Sequence, residues 1–298
     1  MKPLTIGNRT FEWGERTYVM GILNLTPDSF SGDGLLSASS NTVVETQVIE
    51  TARRFLAAGA DILDIGGEST RPGSRSVDAE EEKGRVLPAI RAILASFPEA
   101  LISIDTSKAI VAEAALRAGA HIINDVWGLH ADPGLATVAA RAKAPLILMH
   151  NRSRPVKVEA RGDLGQAYAA AEYQDLVEDV KRDLMGSVDL ARSAGIADEC
   201  LILDPGIGFG KTREQNLELI NHLDEIRALG FPVLLGPSRK SFIGYTLNLP
   251  PDQRVEGTAA AVAVGITRGA DLVRVHDVEA MVRVSRMTDA LVRPRNHA

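Results

Sequence analysis

The chain has 298 residues, 45% of them apolar and 24% charged, which is enough to bury a large core. Its net charge of −6 argues against binding to nucleic acid or to an anionic membrane, because both need a broad basic surface. The apolar runs are strand-sized, the N-terminus has no signal pattern, and the single cysteine, Cys200, cannot form an internal disulfide. We therefore expect a soluble, cytoplasmic protein.

Eight short apolar runs follow one another along the chain, separated by turns and amphipathic stretches. In chain order they read TYVMGILNLT, ADILDIGG, LISIDTS, HIINDV, APLILMH, CLILDPG, FPVLLGPS and ADLVRVHD. Most consist of consecutive Val, Ile and Leu residues rather than alternating apolar and polar ones. Such runs are typical of parallel strands that are covered on both faces.

The stretches that follow the strands have helical periodicity. The predicted helices span 43–58, 79–96, 109–118, 132–142, 173–194, 215–228, 255–267 and 278–291. Glycines near five of the helix ends indicate C-caps, and they are Gly59, Gly119, Gly195, Gly230 and Gly269. Eight strand–helix units predict an α/β fold, a (β/α)8 TIM barrel, as a single domain over 1–298. Residues 1–17 would form an N-terminal β-hairpin across the bottom and 18–291 the barrel. A doubly wound sheet is the alternative, but no GxGxxG follows the first strand.

The C-terminal ends of the predicted strands are polar, and barrel enzymes carry their chemistry at that end. In chain order the polar residues are Asn24, Thr26, Asp64, Glu68, Arg71, Asp105, Ser107, Asn124, Asp125, His150, Asp204, Ser238, Arg239, Lys240, Arg274, His276 and Asp277. One polar end can simply cap the following helix, and for Asp105 that interpretation stays open. Polar residues at all eight ends predict a binding site.

Two groups within this set predict a substrate with two unlike parts. The acceptors of Asp105, Asn124 and Asp204 suit a planar heterocycle with an N–H beside an amino group, such as a 2-amino-4-oxo pyrimidine. A cationic group suits phosphate or diphosphate. Its members are Arg71, Arg239, Lys240, Arg274 and His276, to which Asn24 and Thr70 add polar groups.

Seven motifs between about residues 18 and 277 resemble those of the dihydropteroate synthase family in order and spacing. They read GILNLTPDSFSGDG, DIGGESTRPG, SIDTS, INDVWGL, LDPGIGFGK, GPSRKSFI and RVHDV. The family acts in folate biosynthesis and is inhibited by sulfonamides. It joins 6-hydroxymethyl-7,8-dihydropterin diphosphate to 4-aminobenzoate, which gives 7,8-dihydropteroate and diphosphate. The resemblance implies the same transferase activity here.

The resemblance also implies which residues form the site. The pterin would be held by Asp105, Asn124, Asp204 and Lys240, in a slot lined by Met149, Phe209 and Gly236. The diphosphate would bind Asn24, Thr70, Arg71, Arg274 and His276. The 4-aminobenzoate would be bordered by Phe30, Thr70, Pro72, Arg239 and Ser241.

The resemblance further implies a magnesium ion held by Asn24, since Mg²⁺ keeps several waters and takes phosphate oxygens as ligands. The implied catalytic residues are Asn24, Asp33, Lys240 and Arg274. Asp33 departs from the family pattern, because the first loop reads SFSGDG where SFSDGG is common, which moves the acid by one place.

Two alternatives to the synthase remain open at this stage, namely a pterin-dependent methyltransferase domain and a non-catalytic pterin-binding paralogue. A homodimer is implied by the resemblance, with helix 278–291 as a candidate face, although packing of that helix on the barrel explains its pattern equally well. The charged connector 151–172 shows no clear element. No Ser/His/Asp set is recognisable, and the implied reaction needs no enzyme nucleophile.

Overall fold

The structure is a computed structural model that describes residues 1–25, 41–69, 76–153, 158–160 and 162–293, without the side chains of 41–44, 158–160 and 163. Predictions made for Thr26, Phe30, Asp33, Thr70, Arg71 and Pro72 lie outside the described residues. Among the helices of the described ranges, none is both long enough and apolar enough to cross a bilayer.

The strands of the described residues form a barrel and two small hairpins. They are β1 (Leu4–Ile6), β2 (Arg9–Phe11), β3 (Tyr18–Asn24), β4 (Ile62–Gly66), β5 (Leu101–Asp105), β6 (Ile122–Asp125), β7 (Leu146–Met149), β8 (Val158–Ala160), β9 (Gln166–Tyr168), β10 (Leu201–Asp204), β11 (Leu234–Leu235) and β12 (Leu272–Val275). Eight of them pair in parallel in the order β10-β7-β6-β5-β4-β3-β12-β11. Leu203 N donates to Pro232 O at 2.9 Å, and this bond nearly closes the barrel between β10 and β11. The predicted TIM barrel is confirmed.

Helices cover the outside of the barrel. They are α1 (Asn41–Ala58), α2 (Ala79–Ser96), α3 (Ala109–Arg117), α4 (Gly134–Ala142), α5 (Leu176–Ser193), α6 (Arg213–Asn221), α7 (Leu223–Arg227), α8 (Ser241–Leu247), α9 (Val255–Thr267) and α10 (Val278–Val292). The five glycines predicted as C-caps have φ between 88° and 110°, in the left-handed region that favours glycine. The single helix predicted over 215–228 is wrong, because the backbone breaks at His222 into α6 and α7. Helix α8, with seven residues, was not predicted.

The N-terminal hairpin of β1 and β2 closes the bottom of the barrel, as predicted. Leu4, Ile6 and Phe11 are buried in one cluster with the lower, inward-facing residues of the barrel strands, such as Met20 and Ile62. Phe11 also packs against Tyr18, with ring centroids 4.6 Å apart. The bottom is therefore sealed by apolar side chains, which leaves the opposite end for polar ones.

The strand register brings the polar ends together in one row. Asn24 lies opposite Gly66, Gly66 opposite Asp105, and Asp105 opposite Asn124 on successive strands. Asn24, Gly66 and Asp105 end their strands and Asn124 is the last residue but one of β6, so this row lies at the upper rim. A local sequence pattern therefore becomes a shared site through the parallel register.

The connector after β7 contains an element that the sequence did not predict. Strands β8 and β9 form an antiparallel hairpin in which Val158 faces Tyr168 and Ala160 faces Gln166. The hairpin has only three residues per strand, which is too short for a readable period.

Candidate active site

A cavity of about 510 Å³ opens at the C-terminal end of the barrel. Its lining includes eleven of the predicted site residues: Asn24, Asn124, Met149, Asp204, Phe209, Gly236, Arg239, Lys240, Ser241, Arg274 and His276. Asp105 lines an adjoining cavity of about 520 Å³, which shares four residues with the first. The predicted residues that the structure describes are thus brought to one end of the barrel.

Residues 204–211, which begin at the last residue of β10, form a tight loop that positions Asp204. Gly206, Gly208 and Gly210 have φ of 71°, 84° and 64°. A Cβ on Gly206 would lie 1.8 Å from the carbonyl oxygen of His150, so no other residue fits there. Gly206 N donates to Asp204 Oδ1 at 2.7 Å, which fixes the carboxylate. Burial raises the pKa of Asp204, whereas the positive charge of Lys240 acts in the opposite direction.

The buried Lys211 stabilises this loop by hydrogen bonds. Lys211 is 4% exposed, and its Nζ donates to the carbonyl oxygens of Gly206 and Phe209 at 2.9 and 3.1 Å. The same Nζ lies 3.0 Å from His150 Nδ1, and His150 Nε2 lies 3.2 Å from Asp183 Oδ2. These partners assign the neutral tautomer in which Nε2–H donates to Asp183 and Nδ1 accepts from Lys211.

Burial shifts the titration of both basic groups in this chain of contacts. It lowers the pKa of His150 to about 4 and that of Lys211 to about 7. The sequence analysis assigned no role to Lys211, although its place directly after the glycine-rich segment was a usable signal. Its three partners become visible only in the folded loop.

Lys240 contacts the same loop from the neighbouring segment between β11 and α8. Its Nζ donates to the carbonyl oxygen of Ile207 and lies 4.5 Å from the centroid of the Phe209 ring. Burial lowers the pKa of Lys240 to about 8, although the carboxylate of Asp204 acts in the opposite direction. Lys240 is therefore a cation of the cavity wall rather than a solvated loop lysine.

Arg274 is bound to acidic residues of the floor. Its Nε donates to Asp64 Oδ2 at 2.5 Å, and its Nη2 donates to Asp105 Oδ2 at 2.6 Å. Asn124 Nδ2 donates to the same oxygen of Asp64 at 3.1 Å. Burial raises the pKa of Asp105, and the charge of Arg274 opposes that rise. The sequence suggested a cationic rim and an acidic floor as separate halves, but Arg274 connects them.

The rim on the side of β11 and β12 is held by polar contacts. Arg239 has φ of 57° and makes a paired contact with Asp277 through Nε and Nη2, at 2.8 and 2.5 Å. His276 Nδ1 lies 3.0 Å from Ser238 Oγ. These bonds fix the backbone of the segment that carries Lys240 and Ser241.

Arg254 was missed by the sequence analysis, and it supports this rim. It is 2% exposed, and its guanidinium donates to the carbonyl oxygens of Leu164, Arg239 and Leu249 at 2.9, 2.9 and 3.1 Å. Burial lowers the pKa of this guanidinium. One side chain thus joins the connector after β7, the loop after β11 and the end of α8.

The described residues offer a limited set of metal ligands. Across 1–25, 41–69, 76–153, 158–160 and 162–293, no three His, Cys, Asp or Glu side chains are arranged to hold a metal ion. A Cβ on Gly66 would lie in ordinary contact with Asn24 Oδ1 and Asp105 Oδ2, at 3.6 Å from each. Asp105 Oδ2 accepts from Arg274, so of these two oxygens Asn24 Oδ1 is the one that could bind Mg²⁺, with waters and phosphate oxygens as the other ligands.

Comparisons with known proteins agree with this geometry. The sequence profile of the family described as "Pterin binding enzyme" matches residues 20–276. The chain is 49% identical to a dihydropteroate synthase of Clostridium beijerinckii, over 97% of this chain and 100% of the relative. It is similar to the crystal structure of a dihydropteroate synthase from Clostridium difficile in the presence of pteroic acid, with a TM-score of 0.84 and 44% identity over 95% and 100% of the two chains. It is also similar to a Yersinia pestis dihydropteroate synthase in complex with a sulfonamide drug, with a TM-score of 0.84 and 40% identity over 97% and 98%.

Proposed function

Since the chain belongs to the pterin-binding enzymes and, among them, to the dihydropteroate synthase family, we propose that it joins 6-hydroxymethyl-7,8-dihydropterin diphosphate to 4-aminobenzoate. The products are 7,8-dihydropteroate and diphosphate, so the protein is a transferase of folate biosynthesis. The observation that carries this proposal is that Asn124, Asp204, Lys240, Arg274 and His276 all line the 510 Å³ cavity. Its acceptors suit the pterin edge and its cations suit the diphosphate.

The floor of the cavity recognises the pterin by its donors. Asp204 Oδ1 accepts from Gly206, and we assign Oδ2 to the ring N–H and amino group of the substrate. Asn124 adds a second polar group on the neighbouring side, and Phe209 and Met149 supply apolar faces to the slot. A buried carboxylate whose pKa is raised gains most from such donors, because they replace the hydration it has lost.

The reaction replaces a C–O bond with a C–N bond. The bond from the exocyclic CH₂ to diphosphate breaks, and its electron pair leaves with the diphosphate. The pterin ring spreads the resulting positive charge, the amine lone pair of 4-aminobenzoate attacks the carbon, and the new amine loses a proton. The protein need only offset the leaving charge, orient the amine and exclude water.

Four side chains of this chain suit those tasks. Arg274 and His276 line the cavity and can offset charge on the leaving diphosphate. Lys240 stands between the Asp204 loop and Ser241, where the pterin and the amine would meet. Asn24 would hold Mg²⁺, which supplies further positive charge to the diphosphate when it is bound.

The homodimer and the cytoplasmic location are also part of this proposal. Met287, Leu291 and Val292 on α10 are 61%, 72% and 42% exposed, and they offer an apolar face to a second copy. Sedimentation equilibrium of the wild type and of Met287→Lys tests this pairing, since a monomeric wild type contradicts it. A single cysteine fits a reducing compartment, and cell fractionation tests that location.

Steady-state diphosphate release tests the function against both alternatives. A synthase releases diphosphate only when the pterin diphosphate and 4-aminobenzoate are both present, and a sulfonamide competes with the second substrate. A non-catalytic paralogue binds the pterin without release, and a methyltransferase domain shows no dependence on 4-aminobenzoate. Calorimetry of the pterin diphosphate with and without Mg²⁺ tests the metal, which should tighten binding in the wild type but not in Asn24→Ala.

A further inference from the structure

The hairpin of β8 and β9 lies against the cavity, and hydrogen bonds attach it to other segments of the chain. Leu164, Gly165, Gln166 and Tyr168 belong to its lining. Arg254 donates to the carbonyl of Leu164, and the hydroxyl of Tyr245 donates to the carbonyl of Gly165 at 3.4 Å. The connector is therefore fixed to the elements around α8 and α9 rather than loosely attached.

The residues just after the hairpin are attached to the loop 204–211. Ala171 N donates to the carbonyl oxygen of Gly210 at 2.9 Å, and the hydroxyl of Tyr173 donates to the same oxygen at 3.3 Å. Between these two sets of attachments, strand β9 carries Tyr168 to the mouth of the cavity.

Tyr168 stacks on an aromatic residue already assigned to the pterin slot. The rings of Tyr168 and Phe209 are 5.8 Å apart at their centroids and inclined by 27°. Phe209 forms a small apolar cluster with Val126 and Met149, against which Tyr168 and Trp127 pack. The aromatic wall of the slot thus continues from the loop after β10 onto the hairpin.

Tyr168 also reaches across the barrel mouth. It lines both the 510 Å³ and the 520 Å³ cavities, and so do Ser69, Val126 and Phe209. Burial raises the pKa of its phenol, and the negative charge of Glu68 acts in the same direction. Tyr168 therefore stands neutral at pH 7, between the segment after β4 and the loop after β10.

We propose that Tyr168 is a substrate-contacting residue whose ring packs against the bound pterin, so that the connector hairpin is part of the binding site. A planar, electron-poor heterocycle beside Phe209 gains from a second aromatic ring in offset or tilted contact. The hairpin then sets the width of the slot. This inference rests on the proposed function, because it concerns the pterin substrate.

Fluorine NMR gives a direct test. The chain has four tyrosines, so 3-fluorotyrosine labelling gives four resonances, and the one that is absent from Tyr168→Phe belongs to Tyr168. Saturation with bare 6-hydroxymethyl pterin should shift that resonance through the ring current. Tyr18, buried in the cluster at the barrel bottom, provides the internal reference and should not shift.

Affinities measured by calorimetry give the second readout. Tyr168→Ala should bind the bare pterin about three- to tenfold more weakly, as expected for the loss of one aromatic contact. Tyr168→Phe keeps the ring and should recover most of that loss, whereas a role of the hydroxyl alone predicts no recovery. If Tyr168→Ala does not fold, the resonance in the wild-type protein still decides.

The outcomes separate this inference from the proposed function. If the wild type binds no pterin, the proposed function itself fails. If the wild type binds pterin while the Tyr168 resonance stays in place, or if Tyr168→Ala binds as tightly as the wild type, only the role of Tyr168 is overturned.

Discussion

Asp204→Asn is the substitution that most directly tests pterin recognition. The amide oxygen can keep the bond from Gly206 N, which is 2.7 Å long in the native loop. The amide NH₂ then takes the place of Oδ2 and turns a donor toward the donors of the pterin. The change removes a charge-assisted bond worth about 1.5–3 kcal/mol and adds a donor–donor contact.

The expected loss of pterin affinity is therefore about 2–4 kcal/mol, or roughly 30- to 700-fold at 1.4 kcal/mol for each factor of ten. Stability should not fall with it. The folded state raises the pKa of Asp204 and so disfavours its charge, which the neutral amide does not carry. The melting temperature should stay level or rise.

Calorimetry with bare 6-hydroxymethyl pterin measures this loss. Asp252→Asn is the matched control, because Asp252 lines the same cavity but is exposed at its mouth. Its affinity should stay within about twofold of the wild type, as for a surface substitution. A folded Asp204→Asn protein that binds pterin within twofold of the wild type would refute the assignment of the floor.

Four further outcomes are expected. The kcat/KM of the wild type should fall as pH rises through about 8, where Lys240 loses its proton, and Lys240→Arg should lack that alkaline limb. Arg274→Ala should lower kcat/KM by roughly 10²–10³; it should also lower stability in a thermal melt, because two buried carboxylates lose their cation. From pH 6.5 to 4 the free energy of unfolding, from urea titration, should fall by about 3 kcal/mol in the wild type relative to His150→Gln, because His150 takes up its proton in the unfolded state first, whereas groups such as Asp105, whose raised pKa acts in the opposite direction, titrate in both proteins. Lys211→Met should weaken binding of bare pterin about tenfold or more in calorimetry, because two carbonyl groups of the loop and His150 lose their donor.

Each of these has a contrary result. If kcat/KM did not fall as pH rises through about 8, the charge of Lys240 would have no role in the reaction. Equal weakening of bare and diphosphate-bearing pterin by Arg274→Ala would limit that residue to its ion pairs. If the stability of His150→Gln depended on pH between 6.5 and 4 as that of the wild type does, another group would be the one that titrates. If Lys211→Met bound pterin as tightly as the wild type, the loop 204–211 would keep its conformation without the lysine.

Residues at strand ends were predictable because a parallel barrel brings all C-terminal ends to one rim. Asn24, Asp105 and Asn124 needed only their place after apolar runs, and the register then set them side by side. The cap glycines were predictable for a similar local reason. A φ near 100° favours glycine, so a glycine at the end of a helical pattern indicates a cap whatever the rest of the fold is.

Contacts between distant segments were not predictable from local patterns. Arg274 lies 210 residues from Asp64 and 169 from Asp105, so the sequence placed it at a strand end without showing which charge it meets. Arg254 binds three carbonyl groups, which any residue type can supply. The β8–β9 hairpin and α8 are too short for periodicity to reveal them.

The proposed reaction forms a C–N bond between the two substrates, and an isotope-labelled product would show that bond. The protein is incubated with the pterin diphosphate and 4-aminobenzoate labelled with ¹⁵N at its amine, and the products are identified by mass spectrometry. One ¹⁵N-labelled dihydropteroate should form for each diphosphate released. Two results would contradict the proposed reaction. One is release of diphosphate with 6-hydroxymethyl dihydropterin, which carries no ¹⁵N, as the other product; the second is no release of diphosphate although the pterin binds.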